Sequence, residues 1–434
     1  MPDRGTRRSW DGAPGRPFER YATRARPRAR RASGTGGDCR WVDGVRRRLT
    51  VHVGTPKAGS TTLQHLLGAR RGLLARLGIH VPRAGSPDWG LGHQGLAREL
   101  GRRAKGSGQW RALAGEIRGS RARRLVLSHE TLTHPPRAEG CIERLLELEE
   151  RENLEVDVVA YVRPQWQRVE AGYAQRVRHG RAVAPLEREV QAVFDEGGYA
   201  PHLDYNVLFE PFRAAFGERV RVYPLQSAVL PQGLCAHFLE LLGVSGAARA
   251  ARGLFRANSR PGAVELEVLR LVNARLGGRR PGGEPVHHRL ALLPALLEGD
   301  APYAGLTPGQ IGRIDARFGP ANARFARAYG IDAGGVLFRD PPDPAERRPH
   351  SVRWRELPAG QRRLVSHYVR SRVGVDLEPA GAPHGTAWRV RARIARYAAA
   401  RGAGLAVRGR RIAGYRNGRT VWHVCRLWMG GRLR

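Results

Sequence analysis

The sequence predicts an α/β protein with three layers, in which helices cover both faces of a central, mainly parallel sheet, and with a mostly helical C-terminal part. Three observations predict this class. Strand-like apolar runs alternate with helical patterns, the first run ends in a glycine-rich loop that opens a helix, and the next runs are rich in β-branched residues. Strands that alternate with helices form parallel sheets, because each crossover helix covers one face.

The first predicted unit is a strand, a loop and a helix. A β-rich run covers 49–54 and ends at Gly54. Leucines then recur at helical spacing over 61–77, and Ser60 or Thr61 is available as the N-cap. Further strands are predicted at 124–128, 156–162 and 219–224. Helical patterns cover 94–104, 140–152, 165–179, 186–195, 204–215, 232–242, 263–273, 287–297, 308–329 and 359–373.

Charge and periodicity divide the 434 residues into three parts. Residues 1–48 are rich in Arg, Gly and Pro and lack periodicity, so we predict a disordered basic extension. Residues 49–377 carry the alternating pattern of an α/β domain. Residues 378–434 are predicted to be a basic tail or a small appended element. No internal repeat is visible.

The net charge of +36 comes almost entirely from arginine, since the chain has only two lysines, Lys57 and Lys105. Abundant Ala, Gly, Pro and Arg favour codon bias in a GC-rich genome over selection for nucleic-acid binding, which stays an alternative for the basic termini. The four cysteines are scattered without metal-ligand spacing, which favours reduced thiols. No apolar run approaches the ~20 residues of a membrane span, and the N-terminus lacks a secretory apolar segment. We therefore expect a cytoplasmic protein.

The glycine loop is the strongest signal of chemistry. Backbone N–H groups of such a loop at a helix N-terminus bind anions. Gly54 and Gly59 have the spacing of a nucleotide-hydrolysing loop, but the lysine, Lys57, lies between them, not directly after the second glycine. The strand 156–162 ends in Arg163, whereas Mg²⁺ binding would need an acid there. The loop is therefore predicted to bind a phosphate donor without hydrolysing ATP.

The segment Pro56-Lys57-Ala58-Gly59-Ser60-Thr61-Thr62-Leu63-Gln64 resembles the PKTGTTxLQ loop of the sulfotransferases that use 3′-phosphoadenosine 5′-phosphosulfate (PAPS), here of the bacterial type. The resemblance implies that these residues bind the 5′-phosphosulfate of PAPS. It also implies that Lys57 neutralises the charge that develops on the bridging oxygen, so that no metal is required.

A second segment is similar to the 3′-phosphate site of the same family. In that family an arginine ends a strand, and a serine follows eight residues later in the next helix. Arg163 stands at the arginine position, and Ala171 stands at the serine position. Ala171 therefore departs from the pattern, and one hydroxyl donor to the 3′-phosphate is missing. Arg168 or Arg176 could compensate. The resemblance covers about 49–377.

The general base is predicted at the end of the strand 124–128, where Ser128 is followed by His129 and Glu130. The family uses a histidine or a glutamate from this region to take the proton of the acceptor hydroxyl. Adjacent residues at a strand end point to opposite faces, so only one of the two faces the donor. We favour Glu130, with His129 as the alternative.

The implied function is sulfuryl transfer from PAPS to a hydroxyl of a sugar, lipid or small metabolite. Two alternatives use the same loop. One is a catalytically weakened protein that binds PAP (the desulfated donor) or another nucleotide, and the other is an atypical P-loop kinase.

Overall fold

The computed structural model describes residues 46–87, 92–100, 108–195, 200–246, 260–278, 283–297, 299–339, 352–378, 386, 389–390 and 392–397. Most of the predicted extension 1–48 and most of the predicted tail 378–434 lie outside these ranges. The three domain limits therefore stay predictions.

Five parallel strands form one sheet in the described part of the chain. They are β1 (Arg47–His52), β2 (Ile79–His80), β3 (Arg124–Ser128), β4 (Leu154–Val162) and β5 (Val220–Pro224). Their spatial order is β2-β3-β1-β4-β5. The central strand β1 places Leu49 beside Leu125 of β3 and beside Val156 of β4. Because all strands run the same way, their carboxyl ends meet at one edge of the sheet.

The crossovers are helical, as the alternating pattern predicts, and the α/β class is confirmed. In chain order the helices include α1 (Ser60–Ala69), α2 (Arg71–Arg76), α3 (Gln94–Glu99), α4 (Gln109–Gly119), α5 (Pro135–Arg151), α6 (Gln165–Arg178), α7 (Leu186–Ala192), α8 (Tyr205–Phe216), α9 (Leu234–Leu241), α10 (Ala263–Arg275), α11 (Val286–Arg289), α12 (Pro308–Ala328) and α13 (Ala359–Val373).

Two helix predictions were wrong in detail. The single helix expected over 61–77 is two helices, because the backbone of Arg70 leaves the helical conformation at φ −114°. Glycines flank this break at Gly68 and Gly72, and glycine weakens a helix interior. The helix expected over 287–297 is α11 followed by a 3₁₀ turn at Leu293–Leu296. Pro294 lacks the N–H that would continue an α-helix.

The sheet separates two apolar cores, since successive strand residues point to opposite faces. Val51 and Val158 enter the core that α4, α5, α8 and α12 cover. Val126 and Val159 enter the other core, which α1 and α9 cover. These two helical layers fix which face each residue at the strand ends can reach.

The described residues divide into two compact units. The first comprises 46–168, 191–246 and 312–339, with the gaps given above, and holds the whole sheet. The second comprises 169–190, 260–311 and 352–397 and is mainly helical. Within the second unit, the buried Asn273 donates from Nδ2 to the carbonyl of Val177 at 2.6 Å. The buried Glu170 accepts from the backbone N–H of Leu306 at 3.2 Å.

Candidate active site

The glycine loop joins the end of β1 to α1, and its two glycines are required by the geometry. Gly54 has φ +36° and Gly59 has φ +83°, in the region that disfavours side chains. A Cβ on Gly54 would lie 2.7 Å from Ser60 Oγ, and one on Gly59 would lie 2.3 Å from a methyl of Leu234. The loop therefore passes close to α1 and α9 without room for side chains at these positions.

Lys57 adopts a left-handed backbone conformation, with φ +69°. Such a conformation costs a non-glycine residue of order 1 kcal/mol or more, and it concentrates at functional sites. It places a half-buried lysine at the turn of the loop, between the two glycines. The backbone of the loop is therefore strained at the one residue that carries its charge.

Three hydrogen bonds fasten this loop to the sheet. The hydroxyl of Thr55 donates to the carbonyl of Tyr161 in β4 at 3.0 Å. The hydroxyl of Thr133, which follows β3, donates to the carbonyl of Gly54 at 3.0 Å. The backbone N–H of Val53 donates to the carbonyl of Val159 at 3.0 Å. The loop is thus held from both strands that neighbour β1.

The N-terminus of α1 opens from this loop. Gly59 is its N-cap, and among the described residues no side chain caps the helix and no acid lies in its first turn. The positive end of the helix dipole is therefore not offset by a carboxylate from α1 itself. The remaining predicted loop residues lie here, with Ala58 and Ser60 buried and Pro56, Thr61 and Thr62 half-buried. This is the geometry of an anion site.

Glu130 lies beside the loop, on a 3₁₀ turn (Glu130–Thr133) that follows β3. Its carboxylate is close enough to Lys57 and Ser60 for both to act on its pKa. Burial raises the pKa of Glu130 above its ordinary value, and Lys57 and hydrogen bonding to Ser60 oppose part of that rise. The structure thus brings together three of the residues that the sequence predicted for the site.

His129 has different neighbours. The pKa of His129 is lowered to about 4, mainly by burial, with smaller contributions from His93, Arg137 and Arg98. None of these three residues belongs to the glycine loop or to α1. The two neighbours at the end of β3 therefore have separate surroundings, and the surroundings of Glu130 include the lysine.

Arg163 follows β4 at the same edge of the sheet, as predicted. Its carbonyl accepts a hydrogen bond from the hydroxyl of Tyr205, the first residue of α8. Tyr205 is fully buried, so this bond fixes the backbone at the end of the strand. Ala171 lies eight residues later on α6, in the second unit, and is half-buried.

Sequence reasoning missed His52, the last residue of β1. The ring is fully buried, and its Nδ1 lies 2.8 Å from Ser128 Oγ. Its Nε2 has no hydrogen-bond partner among the described residues and would lie 3.1 Å from a Cβ on Gly54. Burial lowers the pKa of His52 to about 3, with a smaller contribution from His129. Its place directly before the loop was the available signal.

His93 is a structural residue. It is buried, its Nδ1 accepts from the backbone N–H of Ser128 at 3.0 Å, and its Nε2 lies 3.1 Å from the carbonyl of Pro82. The carbonyl of Pro82 requires a donor, so the proton is on Nε2. Both ring nitrogens are therefore engaged by backbone groups.

The described residues contain neither a cluster of metal ligands nor a membrane-spanning helix. No group of three or more His, Cys, Asp or Glu side chains is placed to hold a metal ion there. Within the same residues, no helix combines the length and the apolarity that crossing a membrane requires.

Comparison with known proteins gives one distant likeness. No family model matches the sequence, and no curated protein matches it. The crystal structure of a sulfotransferase from Alicyclobacillus acidocaldarius is similar with a TM-score of 0.35 and 16% sequence identity, over 66% of this chain and 98% of that chain. A likeness at this distance does not assign a function to this chain.

Proposed function

We propose that the chain transfers a sulfuryl group from PAPS to a hydroxyl of an acceptor. The observation that carries the proposal is the placement of the Glu130 carboxylate beside Lys57 and Ser60, at a glycine loop that opens a helix. A cation for the leaving group and a base for the attacking hydroxyl thus meet at one anion site. The presence of both a cation and a base supports group transfer better than it supports binding alone.

The residues have separate roles in the proposed reaction. The acceptor oxygen bonds to sulfur while the bond from sulfur to the bridging oxygen of the donor breaks. The electron pair of that bond stays on the 5′-phosphate of PAP, where the Lys57 ammonium and the loop N–H groups stabilise it. The hydroxyl proton passes to Glu130. The raised pKa of Glu130 makes it a stronger base than an ordinary glutamate.

Removal of Lys57 tests this proposal. We expect Lys57→Ala to lower the transfer of ³⁵S from labelled PAPS to a panel of hydroxyl acceptors by about 10²–10³-fold, which is typical for loss of one stabilising donor. Lys105→Ala removes the only other lysine and serves as the matched control. Calorimetry with PAP measures binding of the donor nucleotide separately from transfer. Tight binding of Mg²⁺–ATP without binding of PAP would refute the proposal in favour of an atypical P-loop kinase.

The 3′-phosphate of the donor is proposed to bind Arg163. The alanine at position 171 lacks the hydroxyl that the resembling family supplies, and one hydrogen bond to a charged group is worth about 1.5–3 kcal/mol. We therefore expect Ala171→Ser to tighten PAP binding roughly tenfold or more, measured by calorimetry. Unchanged affinity would show that position 171 does not reach the phosphate.

A further inference from the structure

Arg168 is a buried charge that pairs with no acidic side chain among the described residues. Only 4% of its surface is exposed, and its Nε and Nη1 find no hydrogen-bond acceptor among the described residues. Its Nη2 donates to the carbonyl of His202 at 2.9 Å, and the guanidinium lies 5.4 Å from the centroid of the Tyr205 ring. Arginine stays protonated when buried. A buried cation of this kind is costly unless an anion completes it.

Its surroundings are basic. The rings of His202 and His134 lie 4.8 Å apart, and both side chains are half-buried. The pKa of His134 is lowered to about 4, mainly by burial, with smaller contributions from His202 and Arg137. Burial also lowers the pKa of His202, with a contribution from Arg168. We call Arg168, Arg137, His134 and His202 the basic cluster.

Two helix N-termini meet the basic cluster. His134 is the N-cap of the 17-residue helix α5, and no described side chain caps that end. His202 lies two residues before Asp204, the N-cap of the 12-residue helix α8. Asp204 accepts from the backbone N–H of Asn206 at 2.9 Å, so its carboxylate is engaged by its own helix. The dipole of α5 adds to the positive potential at His134.

The cluster lies next to the reacting residues but on the other side of the sheet edge from α1. His134 follows the 3₁₀ turn that begins at Glu130, and Tyr205, over which Arg168 lies, bonds to the carbonyl of Arg163. Helices α5 and α8 pack on one face of the sheet. Helix α1, which begins at the glycine loop, packs on the other face. An anion held by the basic cluster would lie on the side of the sheet that α5 and α8 cover, near the chain segment that follows β3.

We propose that the basic cluster binds an anionic group of the acceptor, so that the preferred acceptor is a hydroxyl compound that also carries a carboxylate. This inference rests on the proposed sulfuryl transfer. Arg137 and the two imidazoles are half-buried and so are the accessible members of the cluster, whereas Arg168 is buried. No acidic side chain among the described residues pairs with Arg168. A neutral acceptor would leave that charge uncompensated.

The test uses two matched sugars on the full chain saturated with PAP, so that the donor loop is filled. We expect methyl glucuronide to bind about tenfold or more tightly than methyl glucoside by calorimetry, because only the former supplies a carboxylate. Arg137→Met should abolish this preference, and Arg168→Met should abolish it if that variant folds. Arg144→Met removes an exposed arginine from the same helix as Arg137 and should keep the preference. Affinity for PAP should stay within about twofold in Arg137→Met and Arg144→Met, because neither residue is placed at the donor site.

Three outcomes overturn the proposal. They are equal affinity for the two sugars in the wild type, failure of the glucuronide to bind, and a preference that survives Arg137→Met. A loss of PAP affinity in the Arg137 and Arg168 variants would also overturn it, by assigning the cluster to the donor phosphate. Failure of the wild type to bind PAP refutes the proposed function instead. A glucuronide preference of the PAP-free chain that Arg137→Met removes would then still support the anion site.

Discussion

At the scale of single residues, the surroundings of Glu130, the proposed general base, set its pKa. Burial makes its carboxylate harder to ionise, and the Lys57 ammonium favours ionisation, with burial the larger effect. The carboxylate therefore keeps a proton to higher pH than an ordinary glutamate. A base must be ionised to accept a proton, so this environment has a direct kinetic consequence.

The first prediction concerns the pH dependence of transfer. We expect kcat/KM to rise with pH as Glu130 ionises, with an inflection above the usual glutamate pKa. In Glu130→Gln this acidic limb should disappear along with most of the activity. His129→Asn is the control and should keep the limb. If the limb persists in Glu130→Gln and disappears in His129→Asn, the two roles are exchanged.

The sequence predicted Lys57, Ser60 and Glu130 for one site because parallel strands end at a common edge, and the structure places these three residues together. The sequence did not predict the contacts of His52 or Arg168. Their surroundings come from Ser128, His202 and Tyr205, which lie far away in the chain. Local patterns carry no information on such contacts.

At the scale of elements, the glycine loop depends on its backbone conformation. Gly54 lies at positive φ, and Ser60 Oγ and the His52 ring occupy the space where a side chain would begin. Any side chain there has to displace a buried group. The loop is therefore expected to tolerate substitution of Gly54 poorly.

The corresponding prediction compares two glycine substitutions. Gly54→Ala should lower the free energy of unfolding by about 2 kcal/mol or more and abolish PAP binding, since strain and overlap add. Gly115→Ala is the matched control, because Gly115 lies inside α4 and a Cβ there meets nothing within 4 Å. It should raise the free energy of unfolding by about 0.5–1 kcal/mol. Urea unfolding and PAP calorimetry measure both effects. Normal PAP binding by Gly54→Ala would contradict the proposed role of the loop.

Elements were predictable where a pattern is long and uniform. Strands β3 and β4 were found because buried parallel strands are largely apolar runs, whereas β5 alternates apolar and polar residues. Strand β2 has two residues, too few to show a period. The leucine spacing over 61–77 continued across a break in the backbone, and Leu73 is consequently 46% exposed. Periodicity shows which residues are apolar. It does not show where one helix ends and the next begins.

At the scale of the whole molecule, buried neutral histidines connect stability to pH. Burial lowers the pKa of His52 to about 3 and that of His93 to about 4, against an unfolded value of 6.5. Because the unfolded chain binds these protons more readily, protonation favours unfolding. The stability that these residues contribute is complete above pH 6.5 and is lost as pH falls toward 4.

We therefore predict that the free energy of unfolding falls by about 2 kcal/mol per buried histidine between pH 7.5 and pH 5. Urea unfolding at a series of pH values measures the slope. In His93→Gln, which keeps amide donors and acceptors at the site, the loss over this range should be smaller by about that amount. A slope unchanged by this substitution would show that His93 is not buried as a neutral ring.

The layered α/β class could be predicted from the sequence, but the division into two units could not. The first unit is assembled from three separate parts of the chain, and Phe325 of α12 shares a core with Val158 of β4. Alternation of strands and helices shows the class of a fold. It does not show which distant helix completes which core.

The scarcity of lysine makes the site selectively addressable by chemical labelling. Lys57 and Lys105 are the only side-chain amines among 434 residues. An acylating reagent thus has two lysine targets and the α-amino group, and a bound donor would shield Lys57. Cleavage after lysine divides the unlabelled chain into three peptides and fails at an acylated lysine. Mass spectrometry of the peptides can therefore follow shielding of Lys57 without any knowledge of the acceptor.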